Sequence, residues 1–185
     1  MLSCNLKKKF LLNSGFSLVE ILVVISILAL LSTMVITALN TARQKAKIAQ
    51  ASIVVNQLNI AIELLADDTE FWPGREAAAG SPSPQQVGVT ACANGDNNEV
   101  QDLGDPQAGL TADSGDYPGW NGPYISEVPL DPWGNKYFFD TDYDIGDFDD
   151  REQAVAVGSY GPNGVGNNLY DEDDIINVLV VQVCP

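Results

Sequence analysis

The chain has 185 residues, 45 % of them apolar, carries a net charge of −16 and contains no histidine. The missing imidazole excludes Ser-His-Asp and Cys-His catalysis and every histidine metal centre, and three scattered cysteines offer no paired spacing for zinc. Charge is unevenly shared: up to Lys47 six basic residues stand against one acidic residue, a balance of +5, which leaves −21 for the remainder. A domain that acidic repels nucleic acid and anionic lipid and attracts cations.

In chain order, the first element is the apolar run within "KKKFLLNSGFSLVEILVVISILALL", from Lys7 to Leu31, which continues to Leu39. From Phe16 to Leu39 there are 24 residues, enough to cross a bilayer core, which takes about 20. Lys7, Lys8 and Lys9 precede the run, so the N-terminus should stay inside and the rest should cross. A cleaved secretory signal predicts a shorter apolar core and a small-residue cut site after it, and neither is present. A plain anchor explains length and flanking charge but not Glu20, since a carboxylate in a span costs about 2.5–3.5 kcal/mol.

Helix-favouring sequence continues without Pro or Gly to about Leu65, and the helix is expected to stop between Ala66 and Thr69, before "FWPG". Ala46, Ala49, Ile53, Ile60 and Leu64 recur at helical spacing and predict the stripe that meets the rest of the domain. Arg43, Lys45 and Lys47 read as a solvated face. Residues 73–119 are rich in Gly, Pro, Ser, Ala and Asp and read as a variable loop region. Three strands follow: "KYFFDT", "QAVAVGSY" and "DIINVLVVQV". So few short strands need a partner, and the amphipathic half of the helix supplies one, giving an α+β head.

Two features of the head carry chemistry. Cys92 and Cys184 are a candidate disulfide in an oxidising compartment, the alternative being two free thiols. In "DTDYDIGDFDDRE", Asp140, Asp142 and Asp144 have the opening spacing of an EF-hand loop. However, Ile145 stands where Gly is needed and Arg151 where the last carboxylate belongs. The run reads better as a solvated acidic hairpin than as a calcium loop. Paired carboxylates such as Asp140 and Asp142 also suit acid/base work, which would make a membrane-tethered enzyme, but nothing in the sequence places them in a cleft.

The segment "SGFSLVEILVVISIL" resembles the processing signal of type IV pilins and pseudopilins: a basic leader ending in Gly15, then Phe16, then Glu20 five residues into the mature chain. The resemblance implies that a prepilin peptidase cuts between Gly15 and Phe16 and methylates the new amine. It also implies that Glu20 of one subunit pairs with the Phe16 amine of a neighbour. Each charge alone would be costly in an apolar bundle, and pairing offsets the desolvation.

A second resemblance covers the C-terminal third. "GPYISEVPLDPWGNKYFF" and "VGSYGPNGVGNNLYDEDDI" are similar to the C-terminal domain of major pseudopilins of type II secretion systems. The similarity runs through Pro129, Asp131, Pro132, Trp133, Gly134 and Tyr137, then Ser159, Gly161, Pro162, Asn163 and Gly164, then Asp173, Asp174 and Ile175. The "DPWG" turn itself reads as structural. The family binds calcium in the last loop, which implies as ligands the carbonyls of Tyr160 and Val165, the side chains of Asn163 and Asp173, and either Asn168 or Asp171. Asn163 replaces the usual Asp and "NNLYDE" is longer than usual, so one charge is lost, though an oxygen donor remains.

Together these readings predict an α+β protein of the type IV pilin fold: a long N-terminal helix, transmembrane then amphipathic, packed on a small antiparallel sheet. Its parts are a leader over 1–15, an assembly helix over 16–39, the amphipathic half over 40–72, a variable region over 73–119 and a sheet region with a calcium loop over 120–185. It should catalyse nothing. It should wait in the inner membrane as a single-span protein with its head outside the cytoplasm, and then join a homo-oligomeric filament. The partners implied by the family are the prepilin peptidase, an inner-membrane platform with its ATPase, and minor pseudopilins. The alternatives are a pilus subunit for adhesion, motility or DNA uptake, and a calcium-binding module on a plain anchor.

Overall fold

The computed structural model describes residues 15–74, 99–145, 152–166 and 171–183. The leader lysines, Cys92, Cys184 and Asn168 lie outside the described residues. Contacts divide the chain into two units, Met1–Arg43 and Gln44–Pro185.

Helix α1 spans Leu18–Thr69, and its end falls where the sequence predicts it. Thr69 Oγ1 donates to the Leu65 carbonyl at 2.6 Å and accepts from the Phe71 N–H at 3.2 Å, while Glu70 takes a left-handed φ of 64°. The side chain thereby competes with helical continuation. Within the first unit every described residue is exposed, and α1 is long and apolar enough there to cross a membrane.

In the second unit, strands β1 (Tyr137–Asp144), β2 (Glu152–Ser159) and β3 (Ile175–Val183) form an antiparallel sheet in the order β1-β2-β3. One face, with Tyr137, Phe139, Val155 and Val157, shares its core with α1. The other holds a smaller cluster of Phe138, Tyr143 and Ala156, flanked by Tyr160 and Ile176. Strict alternation would put Tyr143 on the Phe139 side. A bulge between Asp140 and Tyr143 moves it to the Phe138 side instead.

The expected helix stripe is corrected. Ala46, Ala49, Ile53, Ile60 and Leu64 are exposed, and the buried residues are Ala51, Val55, Leu58, Ala61, Ile62, Leu65 and Thr69. Both stripes are apolar, so periodicity alone could not choose between them; the bulkier Val55–Leu58–Ile62–Leu65 set fills the space over the sheet.

Part of the stretch read as variable loop is also core. Leu103, Ala108, Leu110 and Tyr117 are buried, and a 3-10 helix over Pro106–Ala108 is capped by Asp105. Tyr117 Oη accepts from the Gly74 N–H and donates to the Gln107 carbonyl, and Tyr124 Oη donates to Asp68. These bonds fasten the segment to the end of α1.

Candidate functional site

The N-terminal site begins at Gly15 and Phe16, both exposed. Ser17 starts α1: its N–H donates to Glu20 Oε2 at 2.8 Å, and its Oγ accepts from the Val19 N–H at 3.3 Å. Glu20 thus reaches back over the first turn, as in a capping box, and satisfies an N–H that the helix cannot. This local role was missed, although Ser-x-x-Glu ahead of an apolar run is its signature. From Leu18 to Leu39 every side chain is exposed, including Leu22 at 61 % and Met34 at 63 %, an apolar surface far beyond what one soluble subunit keeps bare.

In the head, the "DPWG" block and the last loop are joined. Asp131 Oδ1 accepts from the N–H groups of Trp133 and Asn135 at 3.0 and 2.7 Å. Its Oδ2 accepts from Ser159 Oγ at 2.6 Å, and Ser159 Oγ accepts from the Gly161 N–H at 3.1 Å. A buried carboxylate with this many donors is held in one position, so the turn sets where the last loop begins. Burial, with the Asp131 charge nearby, pushes the Tyr137 hydroxyl up to about 12. Lys47 is not simply solvated: its Nζ lies 5.7 Å over the Trp133 ring.

The predicted calcium residues gather only in part. Tyr160 stacks on Phe138 with centroids 4.3 Å apart, and its hydroxyl donates to Gln101. Asn163 Oδ1 accepts from the Val165 N–H at 2.7 Å, and Asn163 Nδ2 donates to Asp171 Oδ2 at 2.7 Å. Asp171 Oδ1 accepts from the Asp173 N–H at 2.9 Å. Asn163 and Asp171 therefore satisfy each other, and among the described residues no three Asp, Glu or Cys side chains are gathered as a metal site.

The donor chemistry nevertheless suits a hard cation, being all oxygen and strongly negative. Asp174, outside the expected ligand set, has one buried oxygen, Oδ1, with no hydrogen-bond partner, while Oδ2 accepts from Tyr143 Oη at 2.8 Å. Burial pushes its carboxyl up to about 6; the Tyr143 bond opposes this and the charges of Asp171 and Asp173 add to it.

The EF-hand-like reading of the other acidic run meets strand instead of loop at its opening, and residues 146–151 of the run lie outside the described residues. Asp140 and Asp142 lie within strand β1 and are buried, where a calcium loop would have to wrap. The solvated-hairpin reading fails for these two residues on the same ground. The bulge that sets Thr141 and Asp142 together against Val155 leaves no mark in the sequence.

Residues 12–36 match the prokaryotic N-terminal methylation motif, and residues 104–178 match the family described as type II secretion system (T2SS), protein G. The type II secretion system core protein G of Pseudomonas aeruginosa is 26 % identical over 160 residues, which cover 86 % of this chain and 92 % of that one. Its counterpart in Aeromonas hydrophila is 28 % identical over 160 residues, covering 86 % and 95 %. The Dickeya chrysanthemi counterpart is 28 % identical over 163 residues, covering 88 % and 84 %. Among solved structures, the major pseudopilin from the type 2 secretion system of enterohaemorrhagic Escherichia coli aligns at 20 % identity with a TM-score of 0.41, covering 75 % of this chain and 92 % of that one.

Proposed function

Because this chain is a type IV pilin-like protein of the major-pseudopilin kind, we infer that it is the main structural subunit of a type II secretion filament. A prepilin peptidase cuts it between Gly15 and Phe16. The subunit is held in the inner membrane by residues 16–39, with its head outside the cytoplasm. An ATPase-driven platform then stacks it into a filament with copies of itself, and minor pseudopilins join the assembly. The observation that carries this reading is the continuous exposed apolar surface of Leu18–Leu39 behind a methylation motif. Such a surface is stable in lipid or against other helices, and not in water.

Glu20 has two successive roles in this account. In the single subunit it caps the helix through the Ser17 N–H. In the filament it pairs with the Phe16 ammonium of a neighbour and sets register. The head needs no catalytic group. Its last loop would hold calcium through the carbonyls of Tyr160 and Val165 and the side chains of Asn163, Asp173 and either Asn168 or Asp171. The ion, when bound, supplies positive charge that offsets the crowded carboxylates there.

Deleting the chain from its host should stop export of folded proteins to the medium and leave them in the periplasm, and the wild-type sequence should restore export. Normal export with loss of surface fibres would instead move the subunit to a pilus.

A further inference from the structure

The second half of α1 is apolar on two sides. Val55, Leu58, Ile62 and Leu65 are buried in the core that the helix shares with the sheet. Ile53, Ile60 and Leu64 stand 60 %, 58 % and 50 % exposed, and Ala46 and Ala49 are exposed ahead of them. At about 100° per residue these five gather on the side of the helix turned away from the core. An amphipathic helix ordinarily keeps that side polar. Here no residue from Ile48 to Ile62 is charged.

Polar side chains beside the stripe are bonded within the subunit. Asn56 Oδ1 accepts from Asn177 Nδ2 at 2.9 Å, and Asn56 Nδ2 donates to the Ser52 carbonyl at 2.8 Å. Ser52 Oγ donates to the Ile48 carbonyl at 2.9 Å. Covering this face therefore leaves these groups satisfied.

The stripe is charged only at its ends, and with opposite signs. Lys45 is exposed just before it, and Glu63 and Asp67 are exposed at its far end. Anchoring in a membrane gives every copy the same orientation. Two copies side by side at one depth would set Lys45 against Lys45 and carboxylate against carboxylate, which repels. Raising one copy by 18 residues, about 27 Å, sets its Glu63 beside the Lys45 of its neighbour, and 22 residues, about 33 Å, does so for Asp67. The smaller shift also sets Ile60 beside Ala42 and Leu64 beside Ala46, so that large side chains meet small ones, as in knobs-into-holes packing.

We propose that this stripe is a contact between copies beyond the membrane-spanning segment: Ile53, Ile60 and Leu64 of one subunit dock on α1 of a second, staggered by about 27–33 Å so that Lys45 meets Glu63 or Asp67. The proposal rests on the filament reading above and names a surface and a register for it. The occupant is another copy because the chain beyond Lys47 carries a net −21, and two such heads approach without like-charge repulsion only along an uncharged face. The two surfaces that meet are different, and such a contact builds a helical array when it does not close into a ring. Subunits resting in the membrane share one depth, so the staggered contact belongs to the filament.

The test treats sheared wild-type filaments, and membranes holding unassembled subunits, with a zero-length carbodiimide that joins an amine to a carboxylate. Along one straight helix Lys45 and Glu63 stand about 27 Å apart, so a link between them joins two copies. Peptide mass spectrometry should find Lys45 joined to Glu63 or Asp67 in filaments and not in the membrane pool. Ile60→Asn and Leu64→Asn should each lower filament yield at least about tenfold. Both should leave the Tm of the head unchanged, because these side chains are exposed in the subunit. Filaments without the link overturn the proposal, as does wild-type yield from both variants, and either result leaves the filament reading standing. The same link in the membrane pool overturns the stagger. A wild-type chain that forms no filaments overturns both the proposal and the reading beneath it.

Discussion

Glu20→Val subunits should be cut at Gly15 and inserted normally, yet form filaments more than about a hundredfold less efficiently. On the proposed pairing, the substitution would leave the Phe16 ammonium of each neighbour without a partner in a dry helix bundle. Removing one member of a buried pair costs roughly 3–5 kcal/mol, and each 1.4 kcal/mol is about tenfold in an association constant. Glu20 also accepts the Ser17 N–H in the subunit, so lost assembly alone would not identify the charge as the cause. Glu20→Gln separates the two roles. Glutamine serves equally well at the third position of a capping box, but it carries no charge. The account expects Glu20→Gln to keep its helix start and still fail to assemble. Filaments from Glu20→Gln at the wild-type level would assign the residue to capping alone. Counting sheared filaments against total subunit reads the result.

The second large effect is expected at Gly161. Its φ is +60°, and a Cβ there would stand 2.0 Å from the Asp173 carbonyl oxygen. Gly161→Ala therefore combines left-handed strain with a backbone clash that no side-chain rotation relieves, and it should cost at least about 3 kcal/mol. Gly134→Ala is the control. Gly134 has a φ of +98° with nothing within 4 Å of the added methyl, so only backbone strain of about 1–3 kcal/mol applies.

The same loop is the proposed calcium site, which gives the experiment a second readout. Calcium should raise the wild-type Tm, and a chelator should reverse the gain. Asp173→Ala and Gly161→Ala should both lose the calcium response, while Asp142→Ala, whose side chain lies in β1, should keep it. A calcium response that survives Asp173→Ala but disappears in Asp142→Ala would put the ion on the strand instead of the loop.

The helix and the three strands were legible because their signals are local. An uninterrupted run without Pro or Gly reads as α1, and β-branched segments between turns read as β2 and β3. The errors arose where tertiary context decides. On the second half of α1, Ile53 and Ile60 are as apolar as Val55 and Leu58, and only packing over Phe139 and Val157 shows which pair is buried. Acidic residues are almost always solvated, so Asp140 and Asp142 read as exposed, whereas the strand that carries them is buried on both faces. In the last loop the residue types suggested calcium, but the sequence did not show Asn163 bonded to Asp171 or Asp174 with an unpartnered oxygen. The "DPWG" turn was recognised as structural; its bond through Ser159 to the loop it positions depends on a contact 28 residues away along the chain.

The most direct test of the central claim is intact-mass spectrometry of the subunit recovered from sheared filaments. The account predicts a chain that begins at Phe16 and carries one methyl group on its amine. A filament subunit that still begins at Met1, with the leader lysines in place, would contradict it.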